Sequence, residues 1–205
     1  MEIQARSRAT QLLLGVGLAL FLFGTAIVYG WNFTAWIGGS RLGTTEFPLG
    51  NPHDVAVDSH GRIYLAEGFS HRIQRYSPKG QFELGWFVPT AGLFGLRTAP
   101  DDRVQVATER SNKLLVYSSD GQLLSSERYR KEYEARDFIS ETETTGGYTI
   151  RNGILPRVIE MHSGRTVIST SWPKRLIAYP FPAVAYNVLG LSLIVLSNWR
   201  RGRST

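Results

Sequence analysis

The feature that most constrains this chain is an internal repeat of short alternating strands. Gly50 to Phe82 reads GNPHDVAVDSHGRIYLAEGFSHRIQRYSPKGQF. HDVAVD, RIYLAE and RIQRYS each alternate apolar with polar residues, and each run is bounded by Gly, Pro, Asn or Ser. That pattern specifies half-buried strands joined by tight turns. Arg62 to Phe82 then aligns without gaps on Arg103 to Leu123 at an offset of 41. The alignment sets Ala66 on Ala107, Tyr76 on Tyr117, Gly80 on Gly121 and Gln81 on Gln122. A third copy, Gly164 to Tyr179, lies 62 further on, with Arg165 on Arg103, Thr170 on Thr108 and Leu176 on Leu114. A period of about 40 residues built from four short strands is the mark of a propeller blade.

The first copy, in the order PHDVAVDSHGRIYLAE…HRIQRYSPKGQF, resembles the NHL repeat family. The second is a fair match and the third a degraded one. The resemblance covers roughly 33–180 and implies an NHL-type β-propeller segment. Where the family usually carries Asp, this chain has Glu67, Thr108 and Thr170, so any pairing made by that Asp needs another form here.

Both ends of the chain are apolar. Leu12 to Trp31 holds no charge over 20 residues, about what a helix needs to cross a bilayer. Phe181 to Trp199 is uncharged over 19 residues and opens with Pro182, which a first helical turn tolerates. The expected fold is therefore an all-β partial propeller of about three NHL-like blades plus two transmembrane α-helices. The expected divisions are 1–11, helix 12–31, propeller segment 32–180 with an insertion at 125–150, helix 181–199 and a basic tail 200–205. Arg6, Arg8, Arg200, Arg201 and Arg203, with Glu2, supply +4 of the formal net charge of +6. The balance is thus largely topological. The positive-inside rule puts both termini in the cytoplasm and the blades on the periplasmic or extracellular side, and no basic stripe reads nucleic acid. Gly15, Ala19 and Gly190 offer small surfaces for close helix contact, and Asn187 offers an interhelical hydrogen bond. With no cysteine, the chain has neither disulfides nor thiolate ligands.

Three blades do not close a ring, since propellers use about four to eight. Blade three, from Leu155 to Tyr179, stops one strand short, and Asn32 to Gly38 resembles an orphan outer strand. Two repairs follow. In one, a homodimer makes six blades, the orphan strand of each chain completing blade three of its mate. In the other, a different protein caps the fan, and the chain is an accessory subunit of a membrane complex.

The chemistry expected of the chain is binding rather than catalysis. Some NHL-related propellers are enzymes with a metal in the channel, which here implies an alternative: a metal-dependent hydrolase or lyase formed on dimerisation around His53 and Asp54. Phe94 and Pro156, which cannot ligate, stand at the positions equivalent to His53. His60, His71 and His162 fall on turns, as does Asp101-Asp102. No Ser/His/Asp order or phosphate-binding fingerprint appears. No catalytic, metal or cofactor residue is therefore assigned. The candidate protein-contact residues are Phe33, Trp36, Phe69, Trp172, Tyr129 and Tyr133, on the orphan strand, on hairpin turns and in the insertion. The expected partners are the membrane and either a second copy or other membrane-complex subunits.

Overall fold

The computed structural model describes residues 2–37, 43–90, 92–128, 146–153, 156–171, 174, 176 and 181–202. The chain divides into two compact units: Met1–Phe33 with Leu176–Thr205, and Thr34–Arg175.

The second unit is built from three antiparallel sheets. The first contains β1 (Pro52–Val57), β2 (Ile63–Glu67), β3 (Arg72–Tyr76) and β4 (Phe82–Phe87), paired in that order. The second contains β5 (Phe94–Thr98), β6 (Val104–Thr108), β7 (Lys113–Tyr117) and β8 (Leu123–Arg128), also in order. The third contains β9 (Tyr148–Arg151), β10 (Arg157–Glu160) and β11 (Thr166–Ser169). The repeat alignment holds across the first two sheets even in backbone conformation. Gly61 and Asp102 share one positive-φ turn position, His71 and Asn112 a second, and Gly80 and Gly121 a third. This mostly β, meandering and propeller-like architecture follows from the alternation described above.

The order of the sheets departs from the order of the chain. One face of the first sheet (Ala56, Tyr64, Ala66, Ile73) packs on Phe94, Leu96, Val104, Val106, Leu115 and Tyr117 of the second. Its other face (Val55, Ile63, Leu65, Tyr76) packs on Val158 and Ile168 of the third. The first sheet is therefore the middle layer, and the spatial order is third, first, second. The same relation repeats at both joints. The turn glycine Gly121 lies on Trp86 of the first sheet, where a Cβ would sit 2.7 Å from the indole ring. The equivalent Gly80 lies against the Val167 backbone of the third sheet. The connection from Phe87 to Phe94 is short, whereas that from Arg128 to Tyr148 is long enough to carry the chain back past two sheets.

Three expectations are corrected here. First, α1 runs from Glu2 through Ile37, so Asn32 to Ile37 is helical and supplies no orphan strand. A continuous apolar run propagates its helical hydrogen bonds until a breaker intervenes, and that favours helix over an unpaired strand. Phe33 and Trp36 therefore lie on a helix. Second, the third sheet begins at Tyr148, inside the expected insertion. Because β9 is the strand of its sheet that lies against β1, as β5 does, β9 takes the inner position. Third, β11 then stands third from the axis rather than second. The strand expected over 173–179 falls mostly outside the described residues, and Lys174 and Leu176 there are helical.

In the first unit, α1 packs antiparallel to α2 (Phe181–Gly202). The buried positions recur every seven residues: Thr10, Gly17 and Gly24 on α1, and Ala183, Gly190 and Ser197 on α2. This heptad spacing is that of a left-handed helix pair, and the small residues let the backbones approach closely. A Cβ on Gly17 would lie 2.9 Å from the Gly190 carbonyl, and one on Gly24 would lie 2.6 Å from the Ala183 carbonyl. Within the chain Gly190 lies in this contact, whereas Gly15 meets nothing within 4 Å and Ala19 is exposed. Thr25 Oγ1 donates to Asn187 Oδ1 at 3.3 Å, the expected interhelical bond. The outward surface is apolar, including Leu12, Leu22, Tyr29, Val188, Val195 and Trp199. Among the described residues one helix, over Arg8–Gly30, is long and apolar enough to cross a membrane; the apolar stretch of α2, Ala183–Trp199, is shorter.

Candidate functional site

The chemically richest region is the joint between the first and second sheets. His53 is the second residue of β1, at the bulge between Pro52 and Asp54. Its Nε2 lies 2.6 Å from the Phe94 carbonyl oxygen, and its ring meets the Phe94 ring edge-on at 5.1 Å. Asp54 is buried; Oδ1 accepts the Val55 N–H at 2.7 Å and Oδ2 the Leu96 N–H at 2.5 Å. Thr98 Oγ1 donates to the Val57 carbonyl at 2.6 Å. These bonds tie the two inner strands together. Both residues of the expected dimeric metal site, His53 and Asp54, are thus engaged with backbone groups of the neighbouring strand.

Glu67 resolves the missing family Asp. Its buried carboxylate accepts the Gly50 N–H at 3.1 Å, the Asn51 N–H, and both the N–H and hydroxyl of Ser70 at 3.0 Å. It closes the β2–β3 turn and holds the entry to β1. Thr108 performs the local half of this task in the second sheet, accepting the Lys113 N–H at 3.0 Å and contacting Ser111 Oγ at 2.6 Å. Thr170 Oγ1 accepts the Leu49 N–H at 2.8 Å. A longer side chain on Glu67 reaches two segments where a shorter one would reach one.

His71 differs from its expectation as a solvated turn residue, because its Nδ1 is buried. It takes a left-handed conformation, φ 49°, and its carbonyl accepts the Val88 N–H at 2.8 Å. Burial lowers the pKa of both His53 and His71 below the ordinary 6.5, against an opposing pull from Glu67. The folded chain therefore holds both rings neutral, whereas the unfolded chain protonates them as pH falls through 6.5. Stability attributable to these rings is complete above that pH and is lost progressively below it. The urea midpoint should be level above about pH 7 and fall below about 6.5, and His53→Gln should flatten part of that fall. A midpoint independent of pH over this window would contradict the burial of the two rings.

On the opposite turns, Asp58, His60 and Asp102 bring one ligand atom each to within 4.8 Å of one another. Asp58 is already filled: it accepts Arg62 Nε at 2.6 Å, the Tyr64 hydroxyl at 2.9 Å and the N–H groups of His60 and Arg62. A guanidinium at that distance opposes a cation. Ser59, His60 and Asp102 also meet, but Ser59 Oγ at 3.3 Å and Asp102 Oδ2 at 2.8 Å both approach the same His60 Nδ1. A serine–histidine–aspartate relay needs its partners on opposite ring nitrogens, so this group clamps two turns.

Arg72 is fully buried, with its guanidinium 4.0 Å over the Phe47 ring and 5.4 Å from Phe87. Burial lowers its pKa to about 10. Phe69 is exposed on its turn. Trp172, Tyr129 and Tyr133 lie outside the described residues. Trp86 of β4 packs between Tyr64 at 6.2 Å and Tyr117 at 5.8 Å.

The outward faces of the stack have a different character from its joints. The first-sheet residues Ala56, Tyr64, Ile73 and Trp86, which meet the second sheet, correspond in the second sheet to Arg97, Gln105, Leu114 and Glu127. The far face of the third sheet carries Thr149, Arg151, Arg157, Thr166 and Ser169 around one apolar residue, Ile159. Sheet positions covered by another sheet are apolar and those facing water are polar. The far face of the third sheet is largely polar, and that of the second is mixed, with Ala107, Leu114 and Val116 beside Arg97, Gln105, Ser125 and Glu127. Sequence reasoning missed this, although the comparison of Tyr64 with Gln105 and of Trp86 with Glu127 was available in the repeat alignment.

The family model for the NHL repeat matches residues 49–76, from the approach to β1 through β3. Residues 49–76 are an NHL repeat. No curated protein matches the chain. Among solved structures it is similar to the virginiamycin B lyase of Staphylococcus aureus, at 16% identity over 54% of this chain and 35% of that one, TM-score 0.36. It is similar to a streptogramin B lyase at 14% identity, over 61% of this chain and 39% of that one, TM-score 0.37. Kuenenia stuttgartiensis hydrazine synthase matches at 14% identity, over 65% of this chain and 40% of that one, TM-score 0.35. The chain thus spans well under half the length of each.

Proposed function

We propose that this chain is a membrane-anchored, non-catalytic scaffold module that serves as an accessory subunit of a membrane complex. One observation carries the reading, an inversion of polarity between the two units. The helical pair buries small residues and turns its large apolar side chains outward, the arrangement suited to lipid. The sheet stack buries its apolar side chains between the sheets and carries charged and hydroxyl side chains on both outer faces. The NHL-repeat stack is then the soluble, partner-facing part, and the arginines at the two termini favour a cytoplasmic location for both.

These outer faces also weigh between the two assemblies. Closing a six-bladed ring from two copies would bury Arg97, Gln105 and Glu127 against Arg151 and Arg157. Desolvating charge in a blade–blade joint costs several kcal/mol per ion. The helical state of Asn32 to Ile37 also removes the strand that such a dimer would exchange. A heteromeric partner contacting the outer faces is the better fit.

The test is the mass of the complex released gently from its own membrane, measured by native mass spectrometry. The expected result is this chain together with other subunits in fixed ratio. A bare dimer would sink the accessory reading in favour of ring closure, and a bare monomer would sink both.

A further inference from the structure

The far face of the third sheet carries an exposed cross-strand row; the similar row of the second sheet, Thr108, Lys113 and Arg128, has its hydroxyl buried and engaged by the Lys113 N–H. Arg151 of β9 pairs in register with Arg157 of β10, and Arg157 pairs with Ser169 of β11. In-register neighbours share a face, so two guanidinium side chains and a hydroxyl stand side by side, and all three residues are exposed. Directly opposed like charges destabilise an antiparallel pair. Of the exposed arginines on turns, Arg103 is paired with Asp101 at 2.5 Å and Arg165 with Glu160 at 3.5 Å. The next row, Thr149, Ile159 and Thr166, brings no acid either.

We propose that the Arg151–Arg157–Ser169 row is the docking site for an acidic protein segment. The proposal rests on the accessory-subunit reading and names the chemistry of its partner. Opposed residues on neighbouring strands lie about 5 Å apart. That spacing lets two guanidinium forks take one carboxylate each, or share one, with Ser169 Oγ as a third donor. A protein segment is favoured over nucleic acid because a row of two cations is far shorter than a phosphate-tracking stripe. It is favoured over a lipid surface because the neighbours Thr149, Thr166 and Ser169 make this a polar, hydrogen-bonding face, the makeup of a protein interface rim.

The test uses the full chain in uncharged-lipid nanodiscs and, as probe, a labelled synthetic peptide of alternating Glu and Ser. Saturable binding is expected at low salt, weakened at least tenfold by Arg151→Gln with Arg157→Gln and unchanged by Arg103→Gln. The same double substitution should release the stoichiometric subunits from the native complex. Absence of saturable peptide binding, or equal binding by the double variant, overturns the proposal. So does arginine-dependent binding of vesicles containing anionic lipid without peptide binding, which would reassign the row to a membrane surface. A native complex that keeps its subunits in the double variant overturns this site while leaving the accessory reading intact. A wild-type chain that carries no subunits defeats that reading separately.

Discussion

Gly80→Val is expected to detach the third sheet from the first. Gly80 sits at φ +79°, and a Cβ there would overlap the Val167 carbonyl and approach its carbon to 2.8 Å. Both obstacles are severe for valine. A β-branched residue strains at positive φ, and the neighbour in the way is backbone, which cannot rotate aside. The loss should be about 3 kcal/mol or more, a large part of a domain's stability. Gly164→Ala is the comparison, because its φ is +65° but its Cβ would meet nothing within 4 Å. That change isolates the backbone term, about 1 kcal/mol. Limited trypsin digestion of Gly80→Val should cut first after Arg151, Arg157 and Arg165, while Arg72 and Arg75 in the middle sheet stay protected. An unchanged digestion pattern and urea midpoint would show that the third sheet does not rest on Gly80, and the third–first–second order would fall with it.

Glu67→Ala should be comparably severe for a different reason. Removing the carboxylate leaves the N–H groups of Gly50, Asn51 and Ser70 and the Ser70 hydroxyl without their acceptor. A buried donor left unmet costs about 1–3 kcal/mol, and water entry will relieve some of the four. A total near 3–4 kcal/mol follows. Glu67→Gln keeps one acceptor oxygen of the same reach and should recover roughly half. The measurement is the urea midpoint of all three forms. A loss under about 1 kcal/mol in Glu67→Ala would mean that the β1 entry and the β2–β3 turn are held by something else.

The two cases show which features could be read from sequence. The turn glycines could: Gly80 and Gly121 recur at the repeat spacing, and positive φ is what such turns require. That Glu67 departs from the family's Asp was also legible, but its span across two segments was not, since Gly50 and Asn51 approach it only after folding. The helix seam at Thr10, Gly17 and Gly24 was present as a seven-residue spacing. It was hidden because every face of those helices is apolar, so hydropathy carries no phase. Asn32 to Ile37 was misread for a related reason, since a short apolar run fits strand or helix equally and only its continuity with the preceding turns decides.

The sequence by itself determined the local elements: eight strands in two aligned meanders, their turns, a long N-terminal apolar helix and an NHL repeat at 49–76. Alternation and turn chemistry act over a few residues, so the pattern is written where it acts. The order of the sheets was settled by long-range packing. The middle sheet is apolar on both faces and accepts a neighbour on either. The connection from Arg128 to Tyr148 has enough residues to reach either face. Which face the third sheet chose was therefore settled by side-chain fit at Val55, Ile63, Leu65 and Tyr76 against Val158 and Ile168. That complementarity has no local signature in the sequence.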